Sequence, residues 1–108
     1  MAKIGFSIAA AKNGESERAT RIMRKAIRVD ASALDKIDVK NIKPIIEALT
    51  KNYESNLNIN KKNNDNAFML ATLSYMQKDY ETAKVMISGK DQSESAKNLR
   101  ELITTKQS

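Results

Sequence analysis

The sequence contains no cysteine and no histidine. The lack of cysteine excludes disulfides and thiolate zinc sites, and it leaves the cellular compartment open. The lack of histidine removes the commonest general base and metal ligand, so Ser-His-Asp, Cys-His and histidine-zinc chemistry are excluded. No glycine-rich phosphate loop is present either. We therefore expect a protein that is not an enzyme, with no catalytic, cofactor-binding or metal-binding residues to single out.

Glycine, proline and aromatic residues are also scarce, with three glycines, one proline and 5% aromatics. An all-β chain needs turn residues at each reversal, so this composition favours helices with a core of Ile, Leu, Met and Ala. The length of 108 residues suits one domain. No stretch approaches the roughly twenty apolar residues of a membrane span. The composition therefore predicts a single all-α domain without a transmembrane segment.

Basic residues outnumber acidic ones, with 19 Lys and Arg against 13 Asp and Glu and a net charge of +6. This excess makes an acidic partner possible. The apolar stretch after Lys3 is short and is interrupted by Gly5 and Ser7, so we do not interpret it as a secretory signal. The sequence leaves the compartment undefined, with the cytoplasm slightly favoured.

The spacing of apolar residues predicts the helices along the chain. A short helix over 2–12 is followed by a second helix, an irregular connection and a third helix with Pro44 in its first turn. A polar loop over 56–66 precedes the remaining three helices. Helix caps are expected at Ser16, Asn41, Asp79 and Asp91, and glycines that end helices at Gly14 and Gly89.

The stretch "FMLATLSYMQKDYETAKVMI" (68–87) resembles a tetratricopeptide repeat. The similar positions are the large-small pair of the first helix, the two residues that open the second helix, and its small and large packing residues: Leu70 and Ala71, Asp79 and Tyr80, Ala83 and Ile87. Lys78 stands where the repeat has its turn glycine.

The N-terminal stretch is similar to the same unit. Gly14 resembles the turn glycine, and Ala19, Met23 and Ala26 resemble the second-helix positions, whereas Phe6 and Ser7 stand in for the large-small pair. The spacing between Ala19 and Ala83 falls short of two full periods of about 34 residues. The resemblance therefore implies a degenerate middle repeat.

The resemblance implies an all-α fold, a short right-handed superhelical stack of five or six helices. The expected units are a first helix pair at 1–30, a degenerate middle at 31–65 with one helix at 42–55, a second clear pair at 66–89 and a capping helix at 92–106. In this family the first helices line a concave face that binds a peptide or protein. The chain is thus expected to be a non-catalytic interaction or scaffolding module. Because the first unit begins almost at Met1, with no cap before it, we also expect a domain of a longer protein.

The helix "AFMLATLSYMQ" (67–77) carries apolar residues on nearly every side. Such a helix is either central to a bundle or presents an apolar surface to a partner. The candidate partner surface is Phe68, Met69, Thr72, Tyr75 and Met76, and packing of the preceding helix pair on the same residues is the alternative. A homo-oligomer assembled through this surface is a further possibility.

A basic stripe runs along the second helix. Arg18, Arg21, Lys25 and Arg28 occupy one sector of about 80° on a helical wheel, away from the apolar side. The stripe is an alternative anion-binding surface for nucleic acid. No aromatic residue interleaves it to stack bases, so a solvated helix face is the favoured interpretation.

Overall fold

This computed structural model describes residues 2–59, 63–87 and 91–107, which contain six α-helices and one 3₁₀-helix. In chain order they are α1 (Ala2–Lys12), α2 (Ser16–Asp30), the 3₁₀-helix (Ala31–Lys36), α3 (Val39–Ile59), α4 (Asn64–Met76), α5 (Tyr80–Ile87) and α6 (Glu94–Gln107). These residues contain no strand. The prediction of an all-α fold is therefore confirmed.

Two helices end in the same way, with a residue in the left-handed backbone region. Gly14 after α1 has a φ of 82° and Lys78 after α4 has a φ of 63°. At both ends two backbone N–H groups bond back to carbonyls of the last turn, from Gly14 and Glu15 in one case and from Lys78 and Asp79 in the other. This is the Schellman arrangement, which satisfies carbonyls that a helix end leaves open. The expectation that α1 stops at Gly14 is confirmed.

The helix starts agree with the sequence in only one case. Asp79 accepts the N–H of Thr82 and so caps α5, as predicted. For α6 the cap is Ser93, whose hydroxyl accepts the N–H of Ala96, while the predicted cap Asp91 binds Ser93 itself. The N-cap position of α2 is Glu15, which makes no side-chain bond to the helix, so the cap predicted at Ser16 is wrong. Gly89 lies outside the described residues.

The third helix is longer than predicted. It spans Val39–Ile59 rather than 42–55, so Asn41 lies inside it and is not its cap. Val39 lies one turn before Ile42, the first residue of the predicted helix, and also packs against the core, which explains the earlier start. Pro44 consequently sits beyond the first turn, where its missing N–H removes one backbone hydrogen bond.

The first two helices form a tight antiparallel pair. Ser7 is fully buried between them and donates to the carbonyl of Ala19 over 2.6 Å. Phe6, its neighbour, points outward with 62% of its surface exposed. Of the two residues that stand in for the large-small pair, only the small one therefore packs as the resemblance implies.

The central element is α4, in which residues 68–76 are all buried. Helices α2, α3, α5 and α6 and the 3₁₀-helix all contact it. Enclosure on every side explains why its apolar residues follow no helical period.

The last helix returns to the first pair. Helix α6 packs against α2 as well as α5, and its buried stripe is Ala96, Leu99 and Ile103. Asn98 donates to the carbonyl of Arg28 at the end of α2, and Arg100 donates to the carbonyl of Ile87 at the end of α5. In an open solenoid each unit contacts only its neighbours. Helix α6 thus contacts one helix of each pair, α2 and α5.

One arginine links these elements. The guanidinium of Arg24 on α2 lies 4.3 Å from the ring centre of Phe68 on α4. It donates to Asp65 over 2.9 Å and to Asp91 over 2.8 Å, and also to the hydroxyls of Ser93 and Ser95 at the start of α6. Arg24 therefore connects α2, α4 and α6 through a single side chain.

Replacing Arg24 should destabilise the domain. In Arg24→Ala the carboxylate of Asp91, whose side chain is only 11% exposed, loses a charged partner, and we expect a loss of about 2–3 kcal/mol of unfolding free energy. Arg21→Ala is the matched control because Arg21 is exposed, and it should change stability by less than about 0.5 kcal/mol. Urea denaturation measures both. Equal effects of the two substitutions would contradict the linking role of Arg24.

The same cluster predicts a dependence on pH. Burial alone would raise the pKa of Asp91, but hydrogen bonds from Ser93 and Arg24 outweigh it, so that the pKa is lowered overall. The ionised carboxylate therefore stabilises the fold above the pKa of an unfolded aspartate, about 3.9, and this contribution is lost as the pH falls through the lower folded value. Wild type should be more stable than Asp91→Asn at pH 7, and the difference should shrink as the pH falls below the pKa of an unfolded aspartate. A difference that does not change with pH would be inconsistent with this account.

Candidate functional site

The predicted partner surface on α4 is part of the core. Its five residues have exposed fractions of 5% or less, with Phe68, Met69 and Thr72 at 0%. The hydroxyl of Thr72 donates to the carbonyl of Met69, and that of Tyr75 donates to Asp35 over 2.6 Å. The prediction that these five residues together form a partner surface is therefore wrong, because neighbouring elements pack on them; Met76, at 5% exposure, alone also lines a surface groove.

Tyr75, a residue of the predicted partner surface, makes its contacts with other residues of the same domain. Its ring lies 5.2 Å from that of Tyr80, and Asp35 also pairs with Lys106 near the end of α6. Burial, reinforced by the hydrogen bond to Asp35, raises the pKa of Tyr75. The tyrosine therefore stays neutral and ties the 3₁₀-helix to α4.

The basic stripe of α2 is at the surface, as predicted. All four of its residues, Arg18, Arg21, Lys25 and Arg28, are exposed. Arg18 pairs with Glu15 over 3.1 Å, whereas the other three form no ion pair with any residue that the structure describes. These three line a groove of about 600 Å³ between α2 and the start of α6.

The charge of this groove is mixed. Glu17 and Glu94 line it as well, together with Arg24 and its partner Asp65. The stripe also lies opposite the buried side of α2, where a helix of this kind carries its solvated residues. Its position is explained without a ligand, and anion binding by the stripe remains a prediction.

A second groove lies between the start of α3 and the end of α4. We call it the lysine groove, and it encloses about 480 Å³. Its lining residues come from the segment that enters α3 and from the turn that follows α4: Ile37, Asp38, Val39, Lys40, Lys43, Met76, Gln77 and Lys78.

The floor of the lysine groove is apolar and its rim is basic. Ile37 and Val39 are partly buried against the core, and Met76 is 5% exposed. Lys40, Lys43 and Lys78 are exposed. Each of these lysines lacks an ion-pair partner among residues 2–59, 63–87 and 91–107. The groove thus combines apolar contact area with uncompensated positive charge.

Hydrogen bonds fix both sides of this groove. Gln77 donates from its amide to the hydroxyl of Thr50 on α3 over 2.9 Å and to the carbonyl of Leu73 over 3.1 Å. Asp38 accepts the amide of Asn41 over 2.8 Å. The end of α4 is therefore held against α3, and the one carboxylate of the groove already has a hydrogen-bond donor.

Sequence reasoning missed the lysine groove but noticed two of its parts. Met76 belongs to the predicted partner surface, and Lys78 was singled out as the residue that replaces the turn glycine. The sequence signal that could have completed the site is the spacing of Lys40 and Lys43, which places them on one side of a helix that starts before residue 40. That start was predicted too late.

Among the described residues no group of three or more acidic side chains is placed to hold a metal ion. No helix within the same residues is long and apolar enough to cross a membrane.

Comparison with family models, with curated protein sequences and with solved structures gives no match for this chain. The resemblance to tetratricopeptide repeats therefore depends on the residues quoted above.

The burial of α4 predicts the outcome of truncating its central aromatic residue. Phe68→Ala removes a fully buried ring and should lower the unfolding free energy by about 3–5 kcal/mol. Phe6→Ala is the matched control, since the same truncation on α1 affects a ring that is 62% exposed. Chemical denaturation of both variants decides the point. A Phe68→Ala protein as stable as wild type would show that the predicted partner surface on α4 is not part of the core.

Proposed function

We propose that this protein is a non-catalytic interaction module that binds a segment of a partner protein in the lysine groove. The observation that carries the proposal is the combination of a partly buried apolar floor with three lysines that have no ion-pair partner in the described chain. Apolar contacts surrounded by polar and charged residues are the usual composition of protein interfaces.

The groove suits a chain segment better than nucleic acid. Nucleic-acid grooves use aromatic side chains on which bases stack, and the lysine groove is lined by aliphatic, methionine and polar residues instead. Met76 contributes a flexible thioether that adapts to different side chains. A peptide can place an aliphatic side chain on the apolar floor while its polar groups contact the lysines of the rim.

We further propose that the helix pairs α1/α2 and α4/α5 are related units of the tetratricopeptide kind. Supporting this, each pair turns at a residue with positive φ, Gly14 or Lys78. The second helix of each pair also buries an alanine completely, Ala19 or Ala83. In these terms the lysine groove lies at the end of the first helix of the second pair, so the proposed binding site involves a first helix, as the resemblance implies.

The proposal is tested with peptides selected from a random twelve-residue library on the immobilised protein. Isotope-labelled protein titrated with a selected peptide should show amide shift changes at Ile37, Val39, Lys43, Gln77 and Lys78. Shift changes along Arg21, Lys25 and Arg28 instead would contradict it and favour the basic stripe.

A matched pair of substitutions sharpens this test. Val39→Ser removes apolar area from the floor and should weaken peptide binding about fivefold, which corresponds to about 1 kcal/mol. Val29→Ser makes the same change at a valine of α2 that is 63% exposed and outside the groove, and it should leave the affinity unchanged. Thermal unfolding of both variants confirms that they are folded before binding is compared.

A further inference from the structure

We infer that the segment bound in the lysine groove is acidic, with one aliphatic anchor, and that Lys78 is the residue that selects its carboxylates. This inference rests on the proposed function. It adds the chemistry of the partner and the residue that recognises it.

The first argument is charge complementarity. Three lysines line the groove against a single carboxylate, Asp38, and Asp38 already accepts a hydrogen bond from Asn41. Because no described carboxylate lies within ion-pair distance of Lys40, Lys43 or Lys78, the ammonium groups are available to an incoming acidic segment. Opposite charges across an interface accelerate association and exclude partners of the wrong sign.

The second argument is the backbone of Lys78. With a φ of 63°, this residue occupies a region that is unfavourable for any side chain with a Cβ and favourable for glycine. The same Schellman turn after α1 has Gly14. A glycine would therefore close the turn after α4 at lower cost, so the lysine at this position is not explained by folding. A residue kept in a strained conformation at a groove points to a role of its side chain.

The third argument concerns the anchor. Between the lysines, Val39 and Met76 form an apolar floor, and desolvating it requires an apolar side chain. A purely acidic segment would leave this floor wet. One leucine or isoleucine among glutamates and aspartates fits both features.

The experiment uses a twelve-residue peptide with six glutamates around one leucine, and two variants of it. One variant replaces leucine with serine, and the other replaces the glutamates with lysine. Wild-type protein should bind the first peptide best, with binding that weakens as salt is raised from 50 to 500 mM, because exposed charge pairs are screened. Titration calorimetry or fluorescence anisotropy measures the affinities.

The decisive variant is Lys78→Gly. It should raise the thermal midpoint by about 4 °C or more, because the turn loses its strained residue. The same variant should weaken binding of the acidic peptide about threefold at 50 mM salt, as expected for one exposed charge pair. Stabilisation accompanied by weaker binding is not produced by a merely structural role.

Two controls separate charge from conformation. Lys78→Arg retains the positive charge and the strained backbone, and should keep both the affinity and the midpoint of wild type. Lys84→Ala removes an exposed lysine of α5 outside the groove, so the net charge changes equally while binding should not.

The outcomes are distinguishable. If Lys78→Gly binds the acidic peptide as wild type does, or if its midpoint does not rise, the role of Lys78 is refuted. If the lysine-containing peptide binds as well as the acidic one, the inference of an acidic partner is refuted. The proposed function is then decided separately, by whether Val39→Ser weakens peptide binding. If only nucleic acid binds, this inference and the proposed function both fail. Both also fail if light scattering shows a dimer in which a second copy of the chain occupies the groove.

Discussion

The arrangement of this domain depends on the contacts that the guanidinium of Arg24 makes. This group is stacked on Phe68, bonded to two carboxylates and bonded to the hydroxyls of Ser93 and Ser95. A guanidinium offers several donors in one plane together with a flat face for a ring. A lysine could not make all these contacts at once. The start of α6 is therefore positioned by α2, and both are positioned against α4.

Helix α4 determines how the rest of the chain divides between core and surface. Because it is buried from Phe68 to Met76, every other element has an apolar side to place against it or against its neighbours. Charged residues and the helix ends then lie at the surface. The lysine groove lies at such an end, where α4 stops and the chain turns into α5. The proposed binding site is accordingly at the end of α4 rather than along its side.

Some local features of this fold were predictable from the sequence, whereas the long-range contacts were not. The turn at Gly14 and the cap at Asp79 depend on neighbouring residues, and the sequence identified them. The partners of Arg24 lie 41 to 71 positions away, and the spacing of charged residues in the sequence does not predict these contacts. Periodicity also cannot distinguish a helix enclosed on all sides from one that faces a partner, which is why the sequence left both a partner surface and packing in the core open for Phe68 and Tyr75. The lysine groove was missed because it depends on where α3 begins.

The return of α6 to α2 also bears on how the chain folds. Solenoid proteins fold by local growth, one unit stabilising the next. Here the contacts of Arg24 and Asn98 join segments about seventy positions apart, so they form only after most of the chain has been brought together, at a cost in loop entropy. Each helix pair is packed on one side by elements that also contact the other pair. We therefore expect the two pairs to fold together rather than as independent modules that could be lengthened or exchanged one at a time.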